Sequence, residues 1–139
     1  MAGSYSLQLA VYDKLDADAT LSGLVVGIYD NPSQVDNPED DSQFPFLTIS
    51  TGNIQPWDTN RDKGADAQVE IHTWSRARHA LEGKQIMDAV YNVLHRGTLD
   101  ITGWSFVGMD MTDQQNPQRD PDGITRHGVQ TFRVVYEEI

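Results

Sequence analysis

Four histidines, His72, His79, His95 and His127, are the side chains of this sequence able to change charge near neutral pH. His72 and His79 lie within "IHTWSRARHAL", residues 71–81. With Asp120 and Asp122 of "RDPDG" they could furnish a metal-dependent hydrolase with imidazole and carboxylate ligands. Paired metal histidines usually stand at i, i+4 on a helix or i, i+2 on a strand, because those spacings aim two rings at one point. A separation of seven across a strand–helix junction does neither. His95 falls near a predicted helix C-terminus, where the dipole favours it. His127 opens a predicted strand and has no local ligand partner. Asp120 and Asp122 alternate as in a calcium loop, but the next glutamate is Glu137, and Asp–Gly ahead of a strand marks a hairpin turn. Arg76, Arg78 and Lys84 could clamp a phosphate at a helix start, or more simply pair with Glu82 and Asp88 along that helix. Nucleophile and phosphate-loop signatures are absent. The expectation is therefore no catalytic residue, no metal site and no cofactor.

The elements that hold these residues follow from periodicity. Leu7, Val11 and Leu15 recur at i, i+4, i+8, with Ala10 and Tyr12 beside them, which predicts a helix over 5–18 capped by Ser4 or Ser6. "ATLSGLVVG" reads as a short helical turn stopping at Gly27, and "IYD" as an edge strand. Residues 31–45 are rich in proline and acids without periodicity, hence a loop. "FLTISTGNIQ" alternates, with Leu47 and Ile49 on one face and Thr48 and Ser50 on the other. After a polar connection at 56–66, "AQVEIHTW" places Ala67, Val69, Ile71 and Thr73 opposite Gln68, Glu70, His72 and Trp74. Ser75 then reads as the N-cap of a helix over 76–95, lined by Ile86, Val90, Val93 and Leu94 and ended by Gly97. Two further strands follow. The first carries Val107, Met109 and Met111 on one face, the last Phe132, Val134 and Tyr136, with a turn-rich loop at 116–126 between them. This order gives an α+β fold: a mainly antiparallel sheet of four to five strands with two main helices packed on one face.

Composition sets the outer limits. The chain has 139 residues, 38% of them hydrophobic, which suits one domain with one core. No apolar run approaches the roughly 20 residues of a membrane span, and the acidic turn of the N-terminus is unlike an export signal. There is no cysteine, so disulfides and thiolate chemistry are excluded. Ten Lys and Arg against 21 Asp and Glu give a net charge of −11, which disfavours tight binding to nucleic acid.

Taken end to end, the pattern resembles the phage tail completion family, also described as tail terminator or head–tail joining proteins. The resemblance is carried by "DADATLSGLVVGIYD", "FPFLTIS", the "W-D-T" loop, "IHTWSRARHALEGKQIMDAVYNVLH" and "DPDGITRHGVQTFRVVYEE". The acidic stretch "VDNPEDDSQ" departs from the family pattern, which is shorter there. The resemblance implies one tail-completion-like domain over 1–139 and a structural virion protein rather than an enzyme. It implies a homo-oligomer, a hexameric ring at the head-proximal end of a tail, assembled in the host cytoplasm. Its partners would be the tail tube protein and a head–tail connector or stopper, with DNA only passing through and no membrane. A connector or adaptor of the same neck is the alternative. For such a ring the expected contact residues are Trp57, Asp58, Arg61, Arg119 and Asp120, in polar loops where an aromatic anchor is favoured. Asp36, Glu39, Asp40 and Asp41 are the expected lumen acids, since anionic walls repel phosphate.

Overall fold

The computed structural model describes residues 3–30 and 41–139. Helix α1 (Ser4–Asp16) buries Leu7, Ala10, Val11 and Leu15 and leaves Tyr12 partly exposed. No serine caps it. Gly3 is the N-cap, with φ +72, and a Cβ there would stand 2.6 Å from Trp104 Nε1. The helix start is thus fixed by close approach to Trp104 and Tyr136, a position only glycine fills. The short α2 (Ala19–Ser22) is capped by Asp18, whose carboxylate accepts from Leu21 N–H at 2.9 Å. It stops at Gly23, earlier than Gly27, which instead begins β1 (Gly27–Tyr29).

The sheet is completed by β2 (Phe46–Pro56), β3 (Gly64–Ser75), β4 (Trp104–Arg119) and β5 (Arg126–Glu138). Its spatial order is β1-β2-β3-β5-β4, with β1–β2 parallel and every other pair antiparallel. The polar connections are shorter than the sequence suggests, because Pro56 closes β2 and Gly64 already opens β3. Likewise β4 runs on through Pro117 to Arg119, which leaves a tight hairpin at 120–125. Pro117 lies at the last of three register shifts in β4, where a missing N–H does no harm.

Leu47 and Ile49 of β2, Ala67, Val69 and Ile71 of β3, Met109 of β4, and Phe132, Val134 and Tyr136 of β5 form one apolar face. Helix α1 and helix α3 (Leu81–Leu94) cover it. Val107 does not join Met109 on this face. The shift between Phe106 and Gly108 inserts it as an extra residue, so the alternation slips and Val107 is 46% exposed.

Helix α3 begins five residues later than Ser75 suggests. Ser75 is the buried last residue of β3; its hydroxyl donates to Glu82 Oε1 at 2.8 Å and accepts from Ala77 N–H. The capping chemistry is present, but it stitches a bend at 76–80 to the helix rather than starting the helix. Glu82 is thereby engaged with Ser75 rather than an arginine. The left-handed residue past the helix is Arg96 (φ 56), not Gly97. His95 and Arg96 dock on the outer edge of β4, through His95 Nδ1 accepting from Met111 N–H and Arg96 N–H donating to Met109 O. That contact covers part of an otherwise open strand edge. His95 Nδ1 thus serves the edge of β4 as a hydrogen-bond acceptor. None of the helices among the described residues is long and apolar enough to cross a membrane.

Candidate functional site

The β3–β5 register runs from Gly64↔Glu137 to Ser75↔Arg126. The β2–β3 hairpin (57–63) and the β4–β5 hairpin (120–125) therefore sit at opposite ends of the sheet, about 36 Å apart at 3.3 Å per residue. The expected contact residues divide between these ends. Trp57, Asp58 and Arg61 occupy one; Arg119 and Asp120 occupy the other.

At the first end, Trp57 N–H donates to Gly64 O at 2.9 Å and Gly64 N–H donates to Asp58 Oδ1 at 3.0 Å. Thr59 Oγ1 accepts from Asp62 N–H at 3.0 Å, a side-chain turn that shapes the tip. A Cβ on Gly64 would strike the Trp57 carbonyl oxygen, so the loop closes only with glycine there. Asp58 is consequently occupied in holding the hairpin. Trp57 is 40% exposed and Arg61 is exposed.

At the second end, Asp122 accepts from Ile124 N–H and Thr125 N–H, both at 2.9 Å, and from the Thr125 hydroxyl at 2.7 Å. Gly123 supplies the left-handed residue, φ +74. The hydrogen bonds from Thr125, then that from Ile124, hold the Asp122 carboxyl below the usual carboxylate range. "RDPDG" is a hairpin turn whose acid is spent on its own backbone. Arg119 and Ile124 are exposed beside it.

His79 lies apart from His72, in the 76–80 bend, where its Nδ1 accepts from Leu81 N–H at 3.3 Å. No group of three or more histidine or acidic side chains among the described residues is arranged to hold a metal ion. Arg76 and Arg78 stand in the bend ahead of α3 and not on the helix. Arg76 lies over the Phe44 ring at 4.1 Å and donates to Thr125 Oγ1, and the Arg78 carbonyl accepts from Arg126.

What the sequence did not reveal is on the sheet face away from the helices. Phe44, Phe46, Trp74, His72 and His127 form a continuous ladder of rings, and Trp74 stacks on His127 at 3.8 Å. His72 and His127 meet at 2.6 Å although 55 positions separate them. Only the pairing of β3 with β5 brings them together, and no local spacing encodes that. Further round the molecule, α1 and β1 leave an open groove of about 460 Å³ lined by Tyr5, Leu9, Tyr12 and Tyr29. Asp36, Glu39 and Asp40 lie outside the described residues, as does the side chain of Asp41.

Two exposed hairpins thus stand at opposite ends of one sheet, with Asp58 and Asp122 engaged in their turns. The model of the family described as tail completion protein gp17 matches residues 9–137, and the chain belongs to that family, a class of structural phage tail proteins. It is similar to tail completion protein gp17 of Bacillus phage SPP1, with 25% identity over 126 residues, 91% of this chain and 88% of that protein. The fold recurs in a chain of the virion of a native gene transfer agent particle, with a TM-score of 0.85, 23% identity and 98% of each chain covered. It recurs also in the structure of the bacteriophage SPP1 gp17 protein, with a TM-score of 0.61, 23% identity, and 96% and 91% covered.

Proposed function

We propose that this chain is a tail terminator: a subunit of a closed ring, six copies as the family resemblance implies, that caps the tail tube at its head-proximal end and joins it to a head connector or stopper. The observation that carries this reading is the family match over almost the whole chain together with the two-ended sheet. A joint needs two outward surfaces, and the 57–63 and 120–125 hairpins supply them at opposite ends. The sides of the subunit would meet their neighbours by heterologous contacts, which close into a ring when the rotation per subunit allows. The groove beside α1 suits that role, because Leu9 is 47% exposed in the isolated chain and a neighbour would cover it.

The net charge of −11 suits a ring through which DNA slides without sticking. Asp36, Glu39, Asp40 and Asp41 are the proposed lumen acids. Exchanging all four for Asn or Gln should raise retention of DNA on assembled tails, and unchanged retention would remove this loop from the channel.

The deciding experiment is light scattering after gel filtration, followed by electron microscopy of purified tail tubes mixed with the protein. Rings of about six subunit masses, or protein bound at a single tube end, are the expected results. Binding to the portal side alone, with bare tube ends, would replace the terminator with a connector or adaptor of the neck.

A further inference from the structure

The ring reading makes no use of the paired imidazoles on the sheet face away from the helices, and their geometry has a chemistry of its own. His72 Nδ1 and His127 Nε2 stand 2.6 Å apart. The second nitrogen of each ring turns outward to a carboxylate: His72 Nε2 lies 3.5 Å from Glu70 Oε1, and His127 Nδ1 lies 3.8 Å from Asp120 Oδ1. A carboxylate beside the outer nitrogen draws the ring proton to that side, as it does behind metal-bound histidines. In the tautomers with both protons on the outer side, the two inner nitrogens present lone pairs to one point. One ring's N–H donated to the other satisfies both inner nitrogens, and a metal ion in place of that hydrogen would satisfy them as well.

We propose that His72 and His127 form a two-imidazole site for a borderline divalent cation of the zinc, nickel or copper class, with water completing the coordination. Imidazole nitrogen selects these ions over magnesium or calcium, which require oxygen ligands. Zinc–nitrogen bonds of 2.0–2.1 Å at a tetrahedral angle put two ligand atoms about 3.3 Å apart. The rings must therefore open by about 0.7 Å. Side-chain exposures of 22% and 24% leave room for that movement and for water. The rings do not wander, because Trp74 stacks on His127 and is itself fixed by donating Nε1–H to Thr48 Oγ1 at 3.1 Å. A bound ion would tie β3 to β5 at the foot of the 120–125 hairpin.

The test uses the full, tag-free chain and zinc chloride. Nitrogen-15 spectra of the histidine rings at one equivalent of zinc should shift His72 Nδ1 and His127 Nε2 and leave His79 and His95 in place. Calorimetry should give one ion per chain, with His127→Gln and His72→Gln each weakening binding roughly tenfold or more, about 1.4 kcal/mol, and His79→Gln neutral. If either variant fails to fold, the ring spectra of the unaltered protein decide alone. Zinc shifts centred on His79 or His95, shifts that do not saturate, or no shifts at all would overturn the proposal.

Discussion

Gly64→Ala tests how the first hairpin is held. The added methyl collides with the Trp57 carbonyl oxygen, so the two strands must part where β2 hands over to β3. Parting breaks Trp57 N–H to Gly64 O at 2.9 Å and Gly64 N–H to Asp58 Oδ1 at 3.0 Å. Each is a partly solvated hydrogen bond with a net contribution of about 1 kcal/mol, so Gly64→Ala should cost about 2 kcal/mol. Asp58→Ala removes only the second bond and should cost about 1 kcal/mol. Because that bond is already lost in Gly64→Ala, the double variant should be no worse than the glycine change alone. The coupling between the sites is then about 1 kcal/mol. Urea unfolding of the four proteins measures it as midpoint shifts at constant slope. Heating gives an independent check, with about 3–5 °C per kcal/mol for a chain of this size. Additivity within about 0.3 kcal/mol, or a neutral Gly64→Ala, would refute this account of the hairpin.

Gln130 is fully buried, and its amide nitrogen donates to Met87 O at 2.8 Å and to Gln114 Oε1 at 3.0 Å. Gln130→Glu sets a carboxylate against two acceptors and should cost about 3 kcal/mol at neutral pH. Because its folded pKa would be raised, that loss should shrink as the pH falls through that value, which urea melts across pH 4–8 would show. Asp122 has the opposite sign: its pKa is lowered in the folded chain, so its contribution is full above the unfolded carboxylate value and fades as pH falls through the folded one. The protection factors of the Ile124 and Thr125 amides, which are exchange rates corrected for their intrinsic pH dependence, should fall in acid, and Asp122→Asn should lower them above that range as well. Leu9→Asp should leave the monomer within about 0.5 kcal/mol of its starting stability while lowering the ring fraction in light scattering, and an unaltered ring fraction would take α1 out of the subunit contact.

Much of the fold was legible because the two periodicities are clean. Ala67, Val69, Ile71 and Thr73 are the buried face of β3 as the alternation requires, and Ile86, Val90 and Leu94 are the buried stripe of α3. The errors fall where tertiary contact overrides a local signal. Ser75 has the chemistry of a cap, but its partner Glu82 is reached across a bend. Gly97 follows a helix, but the docking of His95 and Arg96 on β4 puts the left-handed turn one residue earlier. Val107 obeys alternation until a bulge, invisible in composition, resets the phase. Among the expected contact residues, Asp58 could not be told from Arg61 by type. Only the hairpin hydrogen bond separates the one that folds the loop from the one that faces out. His72 and His127 were beyond reach for a topological reason: β3 and β5 are adjacent in the sheet while a helix and a strand lie between them in sequence.

The arrangement of the two hairpins also has a mechanical consequence. Hairpin 57–63 leads directly into β3 and hairpin 120–125 directly into β5, and these strands lie side by side, antiparallel, over 12 register pairs. Tension applied between the hairpins draws the two strands past each other along their length. The cross-links are then strained all at once, in shear, instead of parting in sequence like a zipper. The domain is therefore a stiff tie along the axis joining its two exposed ends and a softer body across it.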